Sequence, residues 1–335
     1  MKVAILAPVA WRTPPRHYGP WEQIASNIAE GLIKLGIDVS LFATGDSTTA
    51  GRLYSVCDAG YEEDRSQDAK VLECLHISNL MEKAGEFDII HNNFDFLPLT
   101  YSGLIDTPVI TTIHGFSSPK IVPVYKKYNS RGYYVSISNA DRSSELDYLA
   151  TVYNGLNTKQ FDFNDEPEDY LLYFGRIHHD KGTAEAIEIA KRSNRKLLIA
   201  GLVQDANYFK EKIEPQLNEQ IQYIGNAEPA KRNKLLGNAA ALLHPINFAE
   251  PFGMSVAEAM LCGTPVIAFN KGSMPELIKH GQTGFLVNTI DEAVEAVDQL
   301  KSINRRDCFE WSTSQFSCEK MVEDYLNLYQ QILGK

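Results

Sequence analysis

The chain has 335 residues, of which 44% are hydrophobic and 22% are charged, and its formal net charge is −11. This length suits two domains of ordinary size, and this composition is typical of globular proteins. The negative charge argues against nucleic acid as a partner, because binding it requires concentrated Lys and Arg, and it leaves room for at most peripheral membrane contact.

The five cysteines are an odd number and show no C-x-x-C spacing. We therefore expect neither a zinc site nor a disulfide framework, and a reducing cytoplasm fits best. No apolar run approaches the roughly 18 residues of a membrane-spanning helix. The short apolar run at residues 3–10 leads directly into a Pro-rich loop, so it predicts a first buried strand and not a signal peptide.

Residues 1–150 alternate between short apolar runs and helical patterns. An amphipathic helix is predicted from about Trp21 to Leu35, and a second helix over Asp68 to Ala84. Such alternation predicts a parallel sheet with helices on both faces. The predicted strands are Val3–Ala7, Val39–Ala43, Asp88–His91, Val109–Ile113 and Tyr133–Ile137.

The polar, acidic segment 157–169 has no periodicity and is predicted to be a linker. The alternation restarts after it, and two doubly wound halves are expected to place a cleft at the carboxyl ends of their strands. The predicted strands of the second half are 171–174, 196–200, 221–224, 240–244 and 265–269. Its predicted helices are 183–192, 208–217, 230–237, 255–261 and 291–301, and a long amphipathic helix covers 318–333.

The most informative stretch is residues 247–269, where Glu250 and Glu258 bracket a Pro-Phe-Gly turn that opens a helix. The first amides of a helix have no internal partner, and they favour an oxygen-rich or anionic ligand. Carboxylates on both sides would accept hydrogen bonds from vicinal hydroxyls, so the combination suits a sugar nucleotide. An alternative is a capping box, in which Glu258 reaches back to the amide of Ser255.

This stretch resembles the signature of family-four retaining glycosyltransferases with the GT-B fold. In that signature two glutamates are separated by seven residues and are followed by Ala-Met-x-x-Gly-Thr-Pro-Val-Ile, as here. The resemblance implies an α/β GT-B architecture, with two doubly wound Rossmann-like domains facing an interdomain cleft. The implied domains are an acceptor-side domain (1–155), a nucleotide-sugar-binding domain (156–312) and a C-terminal helix (313–335) that crosses back onto the first domain.

Two loops are candidate phosphate sites. Arg176 and Lys181 follow a predicted strand in the pattern Gly-Arg-x-x-x-x-Lys-Gly, which resembles the diphosphate-binding loop of the family; without the resemblance, it would be a surface loop with two solvated cations. The second loop contains Tyr18, Gly19 and Pro20 and resembles the family's glycine-rich loop. Proline replaces its second glycine and removes an amide donor, so only Gly19 is expected to contact phosphate or sugar.

His114 follows a predicted strand, and its position resembles that of the family's histidine over the donor sugar; a structural histidine is the alternative. His91 and Asn93 are predicted to face the same cleft on the acceptor side. The tyrosine-rich segment Lys120 to Tyr134 is predicted to be an exposed loop, with contact to an anionic or lipid acceptor as the alternative.

The resemblance implies transfer of a hexose from a nucleoside diphosphate sugar to an acceptor hydroxyl with retention of configuration. The donor is expected to be a UDP-sugar first and GDP-mannose second, and the acceptor a sugar, a lipid-linked molecule or another small molecule. An epimerase, a phosphorylase or a non-catalytic sugar-nucleotide-binding protein are the alternatives. No cofactor and no metal are expected, since the sequence contains no Asp-x-Asp.

The implied roles divide the site into three parts. Glu258 would bind the ribose hydroxyls, and Arg176 and Lys181 the departing diphosphate. His114 would position the sugar. The sugar hydroxyls would be bound by Glu250 and by the amides of Phe252, Gly253, Met254 and Ser255.

Overall fold

The computed structural model describes the whole chain except Tyr18, Ser117, Glu228 and Lys335, and it leaves out the side chains of Pro229 and Ala230. Contacts divide the chain into two compact units. The first comprises Met1–Gly155 together with Cys318–Lys335, and the second comprises Leu156–Ser317.

The first unit is built on a parallel sheet, which has seven strands in the described part of the chain, in the order β3-β2-β1-β4-β5-β6-β7. Its strands are β1 Lys2–Leu6, β2 Asp38–Phe42, β3 Arg52–Tyr54, β4 Ile89–Asn92, β5 Val109–Ile113, β6 Tyr133–Ser136 and β7 Tyr148–Thr151. Its helices before residue 155 are α1 Pro20–Lys34, α2 Ala69–Met81 and α3 Val122–Lys127.

The second unit repeats this plan with a parallel sheet of six strands among the described residues, in the order β10-β9-β8-β11-β12-β13. The strands are β8 Tyr170–Phe174, β9 Lys196–Ala200, β10 Ile221–Tyr223, β11 Ala241–His244, β12 Val266–Phe269 and β13 Gly284–Val287. The helices are α4 Thr183–Arg192, α5 Ala206–Tyr208, α6 Pro229–Asn238, α7 Met254–Leu261, α8 Met274–Leu277, α9 Ile290–Asp298 and α10 Arg305–Phe316.

The last helix, α11 Cys318–Leu333, belongs to the first unit and packs on α1. The two helices approach closely at Gly31, where an added Cβ would lie 2.3 Å from Cγ2 of Val322. Any larger residue at position 31 would therefore clash with the Val322 side chain.

Both sheets have a switch point, where the strand order reverses. In the first sheet it lies between β1 and β4, and in the second between β8 and β11. In open α/β sheets, ligands bind beyond the carboxyl ends of the strands at such points. The central strands are apolar and buried on both faces, as in parallel sheets covered by helices, so polar side chains appear where the strands end.

The α/β fold predicted from the sequence is confirmed, whereas two local predictions were wrong. The segment 157–169 is not a free linker, because Asn164 and Glu168 donate backbone hydrogen bonds to residues of the second unit. The segment 120–134 is not an exposed loop, since it forms α3 and fully buries Tyr125. The helix predicted at 208–217 is present at 206–216, as successive short α, π and 3-10 segments.

None of the helices in the described part of the chain is both long enough and apolar enough to cross a membrane.

Candidate active site

A cation and a carboxylate meet at the switch point of the second sheet. Nζ of Lys181 lies 2.6 Å from Oε2 of Glu250, and both side chains are largely buried. The Lys181 ammonium also lies 4.5 Å from the centre of the Phe248 ring. Lys181 and Glu250, which come from different predicted motifs, therefore form an ion pair. They lie 69 positions apart in the sequence.

Glycine allows the Lys181 loop to reach this place. Gly182 has φ 75°, and a Cβ there would lie 1.9 Å from the carbonyl oxygen of Pro245. The amide of Asn247 also donates to the carbonyl of Asp180 at 2.9 Å. The loops after β8 and β11 are therefore held against each other by backbone contacts that a larger side chain would break.

The Glu250 loop is held from the other side by the turn after β12. A Cβ on Gly272 would lie 2.4 Å from the backbone nitrogen of Glu250, and the amide of Ser273 donates to the Glu250 carbonyl at 3.0 Å. The Ser273 hydroxyl donates to the carbonyl of Phe252 at 2.6 Å. These contacts fix the backbone that carries Glu250 and leads into α7.

Helix α7 begins at Met254, with Gly253 as its N-cap at φ 92° and no side-chain cap. The capping-box alternative is therefore wrong: Ser255 lies inside the helix. Among the described residues, no acceptor binds the amides of Gly253, Met254 and Ser255. These free donors lie at the positive end of the helix dipole, where they suit oxygen ligands.

Glu258 is buried within α7 and pairs with Arg232 of α6, whose Nη1 lies 3.1 Å from Oε1 of the carboxylate. Burial raises the pKa of Glu258, and the Arg232 guanidinium opposes that shift. Sequence analysis missed Arg232, because nothing in its local pattern marks it; only the packing of α6 on α7 brings it to the carboxylate.

Arg176 lies in the loop after β8, where Nη1 donates a hydrogen bond to Oε1 of Gln204. That loop runs beside the chain after β9: a Cβ on Gly201 would lie 1.8 Å from the carbonyl oxygen of Gly175. The structure thus brings Lys181 together with Glu250, whereas Arg176 and Glu258 have separate partners.

His244, at the end of β11, is a further polar group that sequence analysis missed. It is buried, its Nε2 has no hydrogen-bond partner among the described residues, and burial lowers its pKa to about 4, with smaller influences from Glu250 and Lys181. His244 is therefore a neutral ring beside the ion pair at neutral pH. Its place at the end of a strand beside the switch point is the signal that could have found it.

The loop after β8 contributes two of three side chains that could together bind a metal ion. The ligand atoms of His178, His179 and Asp205 all lie within 4.8 Å of one another. The two histidines are adjacent in sequence, but Asp205 comes from the chain after β9, so spacing alone could not reveal the cluster. His179 is exposed, and His178 Nδ1 also lies 2.5 Å from Oδ1 of Asp180.

In the first unit, His114 follows β5 and is almost fully buried. Its ring stacks on Trp21 with centroids 5.5 Å apart, and Nε2 lies 3.0 Å from Oδ1 of Asn93. Burial lowers the pKa of His114 to about 3, so the ring is neutral at pH 7. It can orient a ligand by hydrogen bonding or packing, but it supplies no positive charge.

The acceptor-side prediction for His91 was wrong. Its side chain is fully buried, with Nδ1 2.6 Å from the Tyr329 hydroxyl and Nε2 2.7 Å from that of Thr112. Both ring nitrogens are used inside the unit, where they join β4 to β5 and α11. His91 is a structural residue.

Tyr18 lies outside the described residues, but its neighbour Gly19 is the N-cap of α1 with φ 150°. A Cβ on Gly19 would lie 2.9 Å from Oε2 of Glu22. A carboxylate this close disfavours a phosphate at the Gly19 amide and favours a hydroxyl. Glu22 itself is buried, and this burial raises its pKa to about 7.

The raised pKa of Glu22 predicts a pH-dependent stability. Because the folded protein holds this proton up to about pH 7 while the unfolded chain releases it near 4.5, stability should fall between these values by roughly 2–4 kcal/mol. Urea unfolding should show that Glu22→Gln is more stable than the parent at pH 8, with the advantage vanishing near pH 4.5. An advantage that does not depend on pH would contradict this origin.

Two sequence comparisons identify similar proteins. Residues 157–310 match the family model of glycosyl transferases group 1. That match lies within the second unit, Leu156–Ser317. Over 98% of both chains, the protein is 23% identical to an uncharacterised glycosyltransferase of Methanocaldococcus jannaschii.

Solved structures extend the likeness over both units. Sucrose-phosphate synthase from Thermosynechococcus elongatus superposes with a TM-score of 0.79 at 16% identity over 99% of each chain. Anabaena HepE, solved in complex with UDP-glucose, gives a TM-score of 0.72 at 17% identity over 99% of this chain and all of that one. At these identities the likeness establishes the fold, and the GT-B resemblance read from the glycosyltransferase signature is confirmed.

Proposed function

We propose that this protein is a retaining hexosyltransferase that uses a UDP-sugar and needs no metal ion. The observation that carries the proposal is the Lys181–Glu250 pair at the switch point of the second sheet. Glu250 lies in the same loop as the free amides of α7. Together these groups combine a cation for a diphosphate, a carboxylate for sugar hydroxyls and backbone donors for oxygen. UDP is preferred over GDP because Anabaena HepE was solved with UDP-glucose.

The proposed donor-binding roles are those that the resemblance implies, and the observed partners of each side chain are compatible with them. Glu258 is oriented by Arg232, and its carboxylate accepts hydrogen bonds from the ribose hydroxyls. Glu250 and the amides of Gly253, Met254 and Ser255 bind the sugar. Lys181 and Arg176 stabilise the charge that develops on the leaving diphosphate, which is electrostatic stabilisation by groups already in place.

The described site offers no obvious protein nucleophile, so we propose displacement on one face of the sugar. The bond between the anomeric carbon and the diphosphate oxygen breaks, and the acceptor oxygen forms its bond on the same side. The acceptor proton passes to the departing phosphate oxygen. His114, being neutral, would position the sugar and would not carry the proton.

The test is a screen of UDP-, GDP- and ADP-sugars by thermal shift and by donor consumption, with the product linkage determined by NMR. A UDP-sugar should raise Tm most and give an α-linked product from an α-linked donor. Conversion of donor without acceptor would indicate an epimerase, and dependence on inorganic phosphate a phosphorylase. Stabilisation without any product would identify a binding protein and refute the proposal.

Chelation tests whether the reaction is independent of metal ions. Because Lys181, Arg176 and the amides of α7 supply the positive charge, turnover should be unchanged after dialysis against EDTA and after addition of Mg²⁺ or Mn²⁺. His179→Ala is the matched control, since it removes one member of the possible metal-binding cluster. Loss of turnover on chelation, restored by a divalent ion, would contradict a metal-independent reaction.

A further inference from the structure

The first unit contains a pocket of about 480 Å³ that the donor-binding residues of the second unit do not use. Its lining includes Pro8 and Ala10, which follow β1, and Phe94 and Leu97, which follow β4. The pocket therefore lies at the switch point of the first sheet, where open α/β sheets bind ligands.

The charged groups of this pocket are all acidic. Glu22, Glu73 and Asp95 line it, and the described lining includes no Lys, Arg or His. None of the three forms an ion pair among the described residues. The hydroxyl of Tyr61 donates to Oε1 of Glu73 at 3.2 Å, and that of Tyr125 donates to Asp95.

A nearby cation is already engaged. Arg16, in the loop before α1, pairs with Asp46 at 3.1 Å and with Glu63 at 2.9 Å. The acidic pocket therefore has no neutralising side chain of its own among the described residues.

Burial makes these carboxylates costly to ionise. It raises the pKa of Glu22 to about 7 and that of Asp95 to about 6, and it also raises the pKa of Glu73. A cation bound among them would offset this cost, because an opposite charge within ~4–6 Å favours the ionised form. A bound anion would instead disfavour the ionised carboxylates and increase this cost.

Aromatic rings form much of the remaining wall: Trp11, Trp21, Tyr61, Phe94 and Phe96. Such rings pack against the C–H face of a sugar and attract ammonium groups through their π-electrons. Trp21 also stacks on His114, so the pocket adjoins the histidine that is predicted to position the donor sugar.

We propose that this acidic pocket binds the acceptor, and that the acceptor is a polyhydroxylated ring bearing a protonated amine, the chemistry of an amino sugar. The inference rests on the proposed transferase function and specifies its second substrate. The carboxylates bind the ammonium and the hydroxyls, and the aromatic wall packs against the ring. Phosphorylated and carboxylated acceptors are disfavoured by repulsion from those of the carboxylates that are ionised.

The experiment compares three ligands that share one hexose ring and carry a cationic amine, a neutral amide or an anionic phosphate. Dissociation constants for D-glucosamine, N-acetyl-D-glucosamine and D-glucose 6-phosphate are measured by calorimetry at pH 7 on the full chain saturated with UDP. Glucosamine should bind about tenfold or more tightly than its neutral N-acetyl form. Glucose 6-phosphate should bind most weakly.

Two variants on the same helix locate the effect. Glu73→Gln should abolish most of the preference for glucosamine over N-acetylglucosamine. Glu82→Gln, at the exposed end of α2, should keep the preference of the parent. Because both changes remove one negative charge, a difference between them reports position and not net charge.

The outcomes separate this inference from the proposed function. Equal binding of glucosamine and its N-acetyl form, or an unchanged preference in Glu73→Gln, overturns the acceptor assignment even if a UDP-sugar is consumed. Conversely, absence of any UDP-sugar consumption refutes the transferase proposal, whatever the pocket binds. If both variants lose the preference for glucosamine equally, the preference arises from net charge, and the inference is also overturned.

Discussion

Replacing Lys181 by Met should lower kcat/KM for the donor by about 10²–10³-fold, with most of the loss in kcat. The reason is that its ammonium meets charge that develops on the diphosphate only as the sugar leaves, and one such group is worth roughly 2.7–4 kcal/mol. Initial rates at several donor concentrations would separate the kcat and KM contributions.

The ion pair makes a stability control necessary, because Lys181→Met leaves Glu250 without its partner. The double variant Lys181→Met/Glu250→Gln restores the charge balance and should recover Tm, but it should remain as inactive as the single variant. Lys196→Met, on the exposed first residue of β9, should have parental kinetics. Recovery of turnover in the double variant would show that Lys181 acts through Glu250 and not on the donor.

Replacing Glu258 by Gln should raise the donor KM by about 10- to 100-fold while leaving Tm unchanged or higher. The KM effect reflects charge-assisted hydrogen bonds to the ribose, each worth roughly 1.5–3 kcal/mol. Stability should not fall, because burial disfavours the charged carboxylate and is the main cause of the raised Glu258 pKa. The neutral Gln side chain does not carry that cost. Donor kinetics and thermal unfolding of the same preparation would measure both.

Arg232→Met provides the matched comparison. This variant removes the partner and leaves the buried carboxylate unpaired, so the free energy of unfolding should fall by about 2–3 kcal/mol. The loss is smaller than the ~3–5 kcal/mol of fully buried pairs because the Arg232 side chain is a quarter exposed. If Glu258→Gln instead lowered Tm as much as Arg232→Met and kept the parental KM, Glu258 would be a structural residue.

The donor-side residues illustrate how far local patterns reach. Lys181, Glu250 and the turn before α7 each lie in a continuous motif, and strand alternation placed each motif at the carboxyl end of a strand. Their partners did not follow from such motifs: Gln204 and Arg232 lie 28 and 26 residues from Arg176 and Glu258. Only the packing of the chain brings these residues together.

The errors have the same origin. His91 and His114 both follow apolar runs and look alike in sequence, yet one is bonded inside the unit by Tyr329 and Thr112 and the other stacks on Trp21. The tyrosines of segment 120–134 were expected at the surface because their neighbours are charged. Tyr125 lies in α3, and its burial depends on residues that are distant in sequence.

The amino-acid sequence by itself determined the two doubly wound halves and the glycosyltransferase signature, since hydrophobic periodicity and turn residues act over a few neighbouring positions. Only the tertiary structure decided that Lys181 pairs with Glu250, that Arg232 faces Glu258 and that three carboxylates share an aromatic pocket. The physical reason is that electrostatics and burial depend on separation in space. That separation is set when helices and loops from distant parts of the chain pack at the ends of the strands.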